Sequence, residues 1–331
     1  MQYIVNSNFD IYKKEDYYLL RNKVDNSFIR FTDNEYRVYL MFLDYKDAEI
    51  LNKEDRDIFN ALLDVNIIVG ENQEIKNNKE KFNIFNFKVK EINPDKLLNK
   101  ISAVNKIIFT KQFKCIYIFT ILIALFSLHF IKNEGIDIFS LGFYTKQDLS
   151  KMFFVYLGVI ITIGIHELAH ALTLVHYNMK VSKIGLKFYF LQLIAYCDLS
   201  ELYLIDDKKK KIATYSAGIL SQIFCSSVAI ILYNILLIGF NNRIDVLIVY
   251  AMINFGIAIF NTIPFVKFDG YWILSTIFNS YNLDAKAQAE VKRFFKREDG
   301  IKSSLVLFGM ISILVKGILL LETFNVVISY I

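Results

Sequence analysis

His166-Glu167-Leu168-Ala169-His170 puts two imidazoles and a carboxylate within five consecutive residues. On an α-helix, residues four apart share a face, so His166 and His170 can each offer a ring nitrogen to one zinc ion while Glu167 stands beside the water it binds. The chemistry implied is metal-assisted hydrolysis. Zinc lowers the pKa of its water from 15.7 to about 7, and Glu167 accepts the proton as oxygen attacks a peptide carbonyl, then hands it to the leaving amine. Three of the four histidines in the chain fall between residues 166 and 176, so this stretch is where a metal is sought first. The competing reading is a pair of ordinary helix histidines satisfied by hydrogen bonds.

Two histidines leave a catalytic zinc short, because such sites use three protein ligands and keep the fourth position for water. The best candidate for the third is Asp269, in Asn261-Thr262-Ile263-Pro264-Phe265-Val266-Lys267-Phe268-Asp269-Gly270, at the end of an apolar stretch. A carboxylate there would be stabilised by the metal. Yet an aspartate near the bilayer interface is tolerated at modest cost, so its position alone does not prove ligation. His176 lies ten residues after His166, the spacing of HExxHxxGxxH, but Thr173 stands where that pattern needs a glycine to turn the chain. On a continuing helix His176 points away from His166 and is expected to be solvated. His129, at the end of another apolar stretch, is read as an interfacial residue.

These residues must be positioned by elements suited to lipid. The chain is 54% hydrophobic and 15% aromatic, too high for a typical soluble pair of domains of 331 residues. Five stretches approach or exceed the roughly 20 residues needed to cross a bilayer. They are Cys115 to Ile131, Met152 to Tyr177, Ile212 to Phe240, Val246 to Val266 and Ser303 to Ile331. The last carries Lys316 near its middle, either paired with an acidic group, lining a polar cavity, or snorkelling. No signal peptide is expected at Met1 to Asp10, so the first span directs insertion. Lysines crowd the segment from Lys76 to Lys114 before it, which predicts a cytoplasmic N-terminus in a multi-pass membrane protein. Lys180 to Lys211 and Lys267 to Lys302 then fall on the cytoplasmic side, and Asn241 to Asp245 outside. The net charge of +5 thus reflects topology and anionic lipid, and no nucleic-acid partner is expected. Cys115, Cys197 and Cys225 have no paired spacing, so neither a disulfide framework nor a cysteine zinc site is implied.

Residues 1 to 70 read as a small α+β cytoplasmic domain. Tyr17 to Phe31 alternates around Asp25-Asn26 as a hairpin, and Thr32 with Glu35 predicts a capped helix with Tyr36, Tyr39, Leu40 and Leu43 on its apolar face. A second helix is expected over Glu54 to Val65. The basic segment 71–114, with Phe82, Ile84, Phe85 and Phe87 interleaved, either lies along the membrane surface or is a solvated linker. Residues 115–279 form the membrane-embedded core, 280–302 a cytoplasmic helix and 303–331 the final span. Within the core, Val181 to Ile205 reads as a membrane-associated β-hairpin whose edge could present itself to an extended peptide. Its unpaired backbone groups cannot sit bare in lipid. The fold class is therefore mainly α: a polytopic helical membrane protein of about five spans, with that hairpin and the N-terminal domain.

HExxH in one span and Asn-x-x-Pro-x-x-x-x-Asp-Gly in a later one resemble the site-2 protease family of intramembrane zinc metalloproteases over Met152 to Phe278. The run Tyr196-Cys197-Asp198-Leu199-Ser200, followed by a lysine cluster and a further span, is similar to that family's peptide zinc metalloprotease branch. The resemblance implies His166, His170 and Asp269 as zinc ligands, Glu167 as the catalytic acid/base and Asn261 near the substrate. Asn261 could donate a hydrogen bond to the oxyanion or to substrate backbone. One departure is plain: the family's Ala-Gly-Pro-x-x-Asn is here Ala217-Gly218-Ile219-Leu220-Ser221-Gln222. That changes helix packing and substrate contacts in this span without removing a ligand. Tyr17 to Val69 loosely resembles the winged-helix, PqqD-like domains that hold leader peptides. The implied function is a zinc metalloendopeptidase acting on a peptide or membrane-protein substrate, with maturation of a ribosomally made modified bacterial peptide as the favoured biology. A peptide-modifying enzyme or an exporter would be its partner. The alternatives are regulated intramembrane proteolysis of a signalling protein, or a non-catalytic transport or immunity component.

Overall fold

The computed structural model describes residues 2–44, 46–70, 86–133, 149–189 and 192–329. Two compact units emerge: Met1–Val89 with Lys187–Leu193 and Ser200–Leu204, and Lys90–Leu186 with Ile194–Leu199 and Ile205–Ile331.

The first unit runs β1 (Gln2–Val5), β2 (Phe9–Lys13), β3 (Tyr18–Asn22), β4 (Phe28–Phe31), α1 (Asp33–Met41), β5 (Lys46–Asp47), α2 (Lys53–Asp64) and β6 (Ile68–Gly70). Its strands make two antiparallel sheets, ordered β5-β1-β6 and β2-β3-β4. The expected hairpin is β3–β4, with Leu20 opposite Ile29, and its turn uses Asn26 at φ 62°, a left-handed conformation that asparagine tolerates. Thr32 and Glu35 cap α1 as their spacing predicts, Glu35 Oε2 accepting the Thr32 backbone N–H at 2.6 Å. The buried face differs from expectation: Val38, Tyr39 and Phe42 enter the core, whereas Leu40 and Leu43 are exposed. The helix ends at Met41, so Leu43 lies past its last turn, and Val38 and Phe42 are four apart on the inner face. Asn52 caps α2 by accepting the Asp55 N–H at 2.7 Å. Between α1 and α2 the chain forms β5 and the 3₁₀ turn Ala48–Ile50. A second 3₁₀ turn, Ser200–Leu204, belongs to this unit: its buried Glu201 pairs with Arg21, and Lys14 Nζ donates to the Leu204 carbonyl at 2.8 Å.

Residues 71–85, with Phe82, Ile84 and Phe85, lie outside the described residues, as does the segment 134–148. The rest of the basic segment forms β7 (Asn86–Ile92), α3 (Asp95–Lys100), begun by Pro94, and α4 (Ser102–Ile108). Then come α5 (Lys111–Asn133), α6 (Leu149–His176), β8 (Ile184–Tyr189), β9 (Gln192–Cys197), α7 (Lys208–Phe240), α8 (Asp245–Asn261), α9 (Asp269–Ile277), α10 (Leu283–Phe295) and α11 (Ser303–Ser329). The anticipated hairpin is β8–β9, and β7 adds a third strand in the order β7-β8-β9.

This second unit is a helical membrane architecture. Four helices are long and apolar enough to cross a bilayer: Lys111–Ile131, Ser150–His176, Lys208–Phe240 and Ser303–Glu322. The stretch expected to span Val246 to Val266 is divided, because α8 stops at Asn261 after 17 residues. Pro264 supplies the reason, since the residue before a proline is pushed out of the α region and the chain must turn. Around the bundle Phe119, Phe126, Phe154, Tyr156 and Ile238 are exposed, an apolar exterior that lipid accommodates and water does not. Within it, α7 packs against α5, α6, α8 and α9. Asp207 caps its start, accepting from Lys209 N at 2.8 Å, and Lys208 to Lys211 lie exposed or half-buried at that end.

Candidate metal centre

His166 and His170 project from one face of α6 into the bundle, and both are buried. Their Nε2 atoms are 3.1 Å apart. Asp269, the first residue of α9, reaches the same point, its Oδ2 lying 3.2 Å from His166 Nε2 and 3.4 Å from His170 Nε2. Among the described residues these three form a group able to hold a metal ion. His170 is oriented by its other nitrogen: a carbonyl can only accept, so Nδ1 donates to the Thr214 oxygen at 2.7 Å, and Nε2 is turned toward Asp269 as the atom a neutral ring would offer to a metal.

The donor set suits a small divalent cation. A tetrahedral zinc with bonds of about 2.0–2.1 Å separates its ligand atoms by roughly 3.3 Å, close to the three separations here. Asp269 Oδ2 is buried and makes no regular hydrogen bond among the described residues. A buried carboxylate oxygen facing two imidazole nitrogens is costly unless a cation or proton lies between them. The backbone of α7 leaves space at this point, for a Cβ at Gly218 would collide with His166 Cε1 and Nε2 and with His170 Nε2.

Local sequence explains how Asp269 arrives. After α8 ends, the chain turns through Pro264 and starts α9 at Asp269, so closely that a Cβ on Gly270 would strike the Thr262 carbonyl. Only glycine permits that approach without displacing backbone. Asn261, at the end of α8, donates Nδ2–H to Gln222 Oε1 at 3.2 Å, so one of its two amide protons is engaged inside the protein. Gln222, which with Ile219 sets this span apart from the Ala-Gly-Pro-x-x-Asn pattern, is fully buried.

Glu167 follows His166 and lies outside the ligand group. Its carboxylate accepts the backbone N–H of Cys197, the last residue of β9. Burial, with the negative charges of Glu167 and Asp198 nearby, pushes the Cys197 thiol well above its ordinary value. His176 is exposed and stacks on Phe109 with ring centroids 3.8 Å apart, apart from the ligand group. Ten residues of helix, about 15 Å of rise, separate it from His166. His129 stands on α5 beside Phe130 and is likewise outside the group. Cys115, Cys197 and Cys225 are all free. Three contributors were not foreseen as functional: Thr214 acts through its backbone, Gly218 through a missing side chain, and Gln222 through a contact across two helices.

Compared with known protein families, curated proteins and solved structures, the chain matches none.

Proposed function

We propose that this protein is a membrane-embedded zinc metalloendopeptidase of the site-2 protease type. The observation that carries the reading is the meeting of His166, His170 and Asp269, from elements about a hundred residues apart, with Glu167 beside them. When bound, zinc would supply Lewis acidity and a water acidified to a pKa of about 7. His166, His170 and Asp269 would hold it, with Thr214 orienting the His170 ring. Glu167 takes the proton of the attacking water; oxygen bonds to the peptide carbonyl carbon, the C–N bond breaks, and Glu167 returns the proton to the departing amine. Asn261, steadied by Gln222, keeps one amide proton and its oxygen for substrate backbone.

The proposed topology has five spans, with α8 as the short fourth and the Lys-rich N-terminus in the cytoplasm. The first unit is proposed as a winged-helix-like, leader-holding domain, and the substrate as a ribosomally made bacterial peptide or membrane-protein segment, processed beside a modifying enzyme or exporter. Glu167→Gln tests the enzyme reading. It should retain the metal while turnover falls about 10²–10⁴-fold, and the uncut peptide should accumulate in cells carrying it. A metal-loaded protein whose host shows no Glu167-dependent cleavage of any peptide would favour a non-catalytic component.

A further inference from the structure

Lys316 lies in the last apolar helix, where an unpaired ammonium is costly. It is paired: Nζ donates to Asp284 Oδ1 at 2.7 Å. Asp284, near the start of α10, is buried, and Gln288 Nε2 donates to its other oxygen at 3.2 Å. Ser312, one turn before Lys316 on the same helix face, is fully buried. Its hydroxyl stands 2.9 Å from the Phe265 carbonyl and 3.3 Å from Asp284 Oδ1. The Asp284 backbone N–H donates to the Tyr271 hydroxyl at 3.1 Å.

The two far contacts bracket one residue. Phe265 precedes Asp269 by four positions and Tyr271 follows it by two, so the network grips the ligand-bearing segment on both sides of its carboxylate. Net stability does not call for such a network, because a partly buried ion pair usually exchanges as a whole for apolar side chains at little cost, although losing one partner alone destabilises. Its geometry serves position instead. We infer that Lys316, Asp284 and Ser312 form a positioning clamp through which α11 holds the Phe265–Tyr271 segment, and thereby sets how tightly the His166–His170–Asp269 site binds a divalent cation. The inference rests on the metal-centre reading above.

Cobalt(II) is the probe, titrated into the full-length protein in detergent against a chromogenic chelator, with helix content followed by circular dichroism. Lys316→Met and Asp284→Asn should each weaken cobalt binding about 10- to 100-fold at unchanged helix content, the range found for groups that orient ligands. Lys316→Arg should restore affinity to within a few-fold, and the double variant Lys316→Met with Asp284→Asn should be no weaker than the worse single one. The visible cobalt band should shift in the weakened variants as the carboxylate loosens. Folded variants with wild-type affinity and spectrum would overturn the clamp. If the charge variants fail to fold, Ser312→Ala, which removes one hydroxyl, decides in the same way: weakened binding supports the clamp and unchanged binding overturns it. A different failure, wild-type protein that binds no cobalt or binds it regardless of Asp269→Ala, overturns the metal centre itself and the clamp with it.

Discussion

Gly218 offers the sharpest single-residue test of the metal centre, because helix propensity and the site pull in opposite directions there. Alanine favours a helix over glycine by about 1 kcal/mol, yet its Cβ would intrude on both ligand imidazoles. Gly218→Ala should therefore keep or raise helix content in circular dichroism while zinc affinity, measured by chelator competition, drops tenfold or more. Unchanged affinity would mean that the imidazoles do not bind at that point. His166, Glu167 and His170 were legible in the sequence because their relationship is local, a four-residue helical period. Asp269 was legible only as a candidate, since its meeting with the histidines depends on how α8, Pro264 and Gly270 turn the chain. The engagement of Asn261 by Gln222 had no local signal, as the two are 39 positions apart.

Where helices meet, the Asp284–Lys316 pair makes the junction of α10 and α11 sensitive to pH. Burial pushes the Asp284 carboxyl up, but the hydrogen bond and charge of Lys316 outweigh it and hold the carboxyl below its ordinary range. A group depressed in the folded state contributes stability above its unfolded pKa of about 3.9, and loses it as pH falls through the lower folded value. Thermal unfolding of wild type and Asp284→Asn should accordingly differ at pH 7, the difference shrinking only as the pH falls beneath the ordinary carboxylate range and vanishing once the folded carboxyl is protonated. A difference that persists in acid would contradict the ionised pair. Helix ends were read less well than helix existence. The capped start of α1 follows from Thr32 and Glu35, but its early stop at Met41 shifted the buried face toward Val38 and Phe42. Likewise the fourth apolar stretch looks continuous through Val266 on hydropathy alone, while Pro264 confines the helix to Asp245–Asn261. Short strands such as β1 and β6 carry too few residues for alternation to declare them.

Taken entire, the chain combines a unit with its own core, in which Leu20, Val38, Phe42 and Ile67 are fully enclosed, and a bundle whose outward residues are mostly apolar. The membrane character was evident from composition and run length, both of which sum over many residues and tolerate local error. The sheet arrangement of the first unit was not, because pairing β1 with both β5 and β6 joins strands more than forty residues apart. The protein should sediment with membranes after alkaline carbonate washing, and protease added outside intact cells should leave the first unit uncut. Release by carbonate would contradict an integral bundle, and cleavage of that unit would reverse the proposed orientation.

Metal content of the purified full-length protein, determined by mass spectrometry for wild type, His166→Ala and Asp269→Ala at matched helix content, bears most directly on the proposed chemistry. One zinc per chain in the wild type, lost from both variants, is the expected result. Zinc retained by Asp269→Ala, or a wild type that takes up none when zinc is supplied, would contradict it.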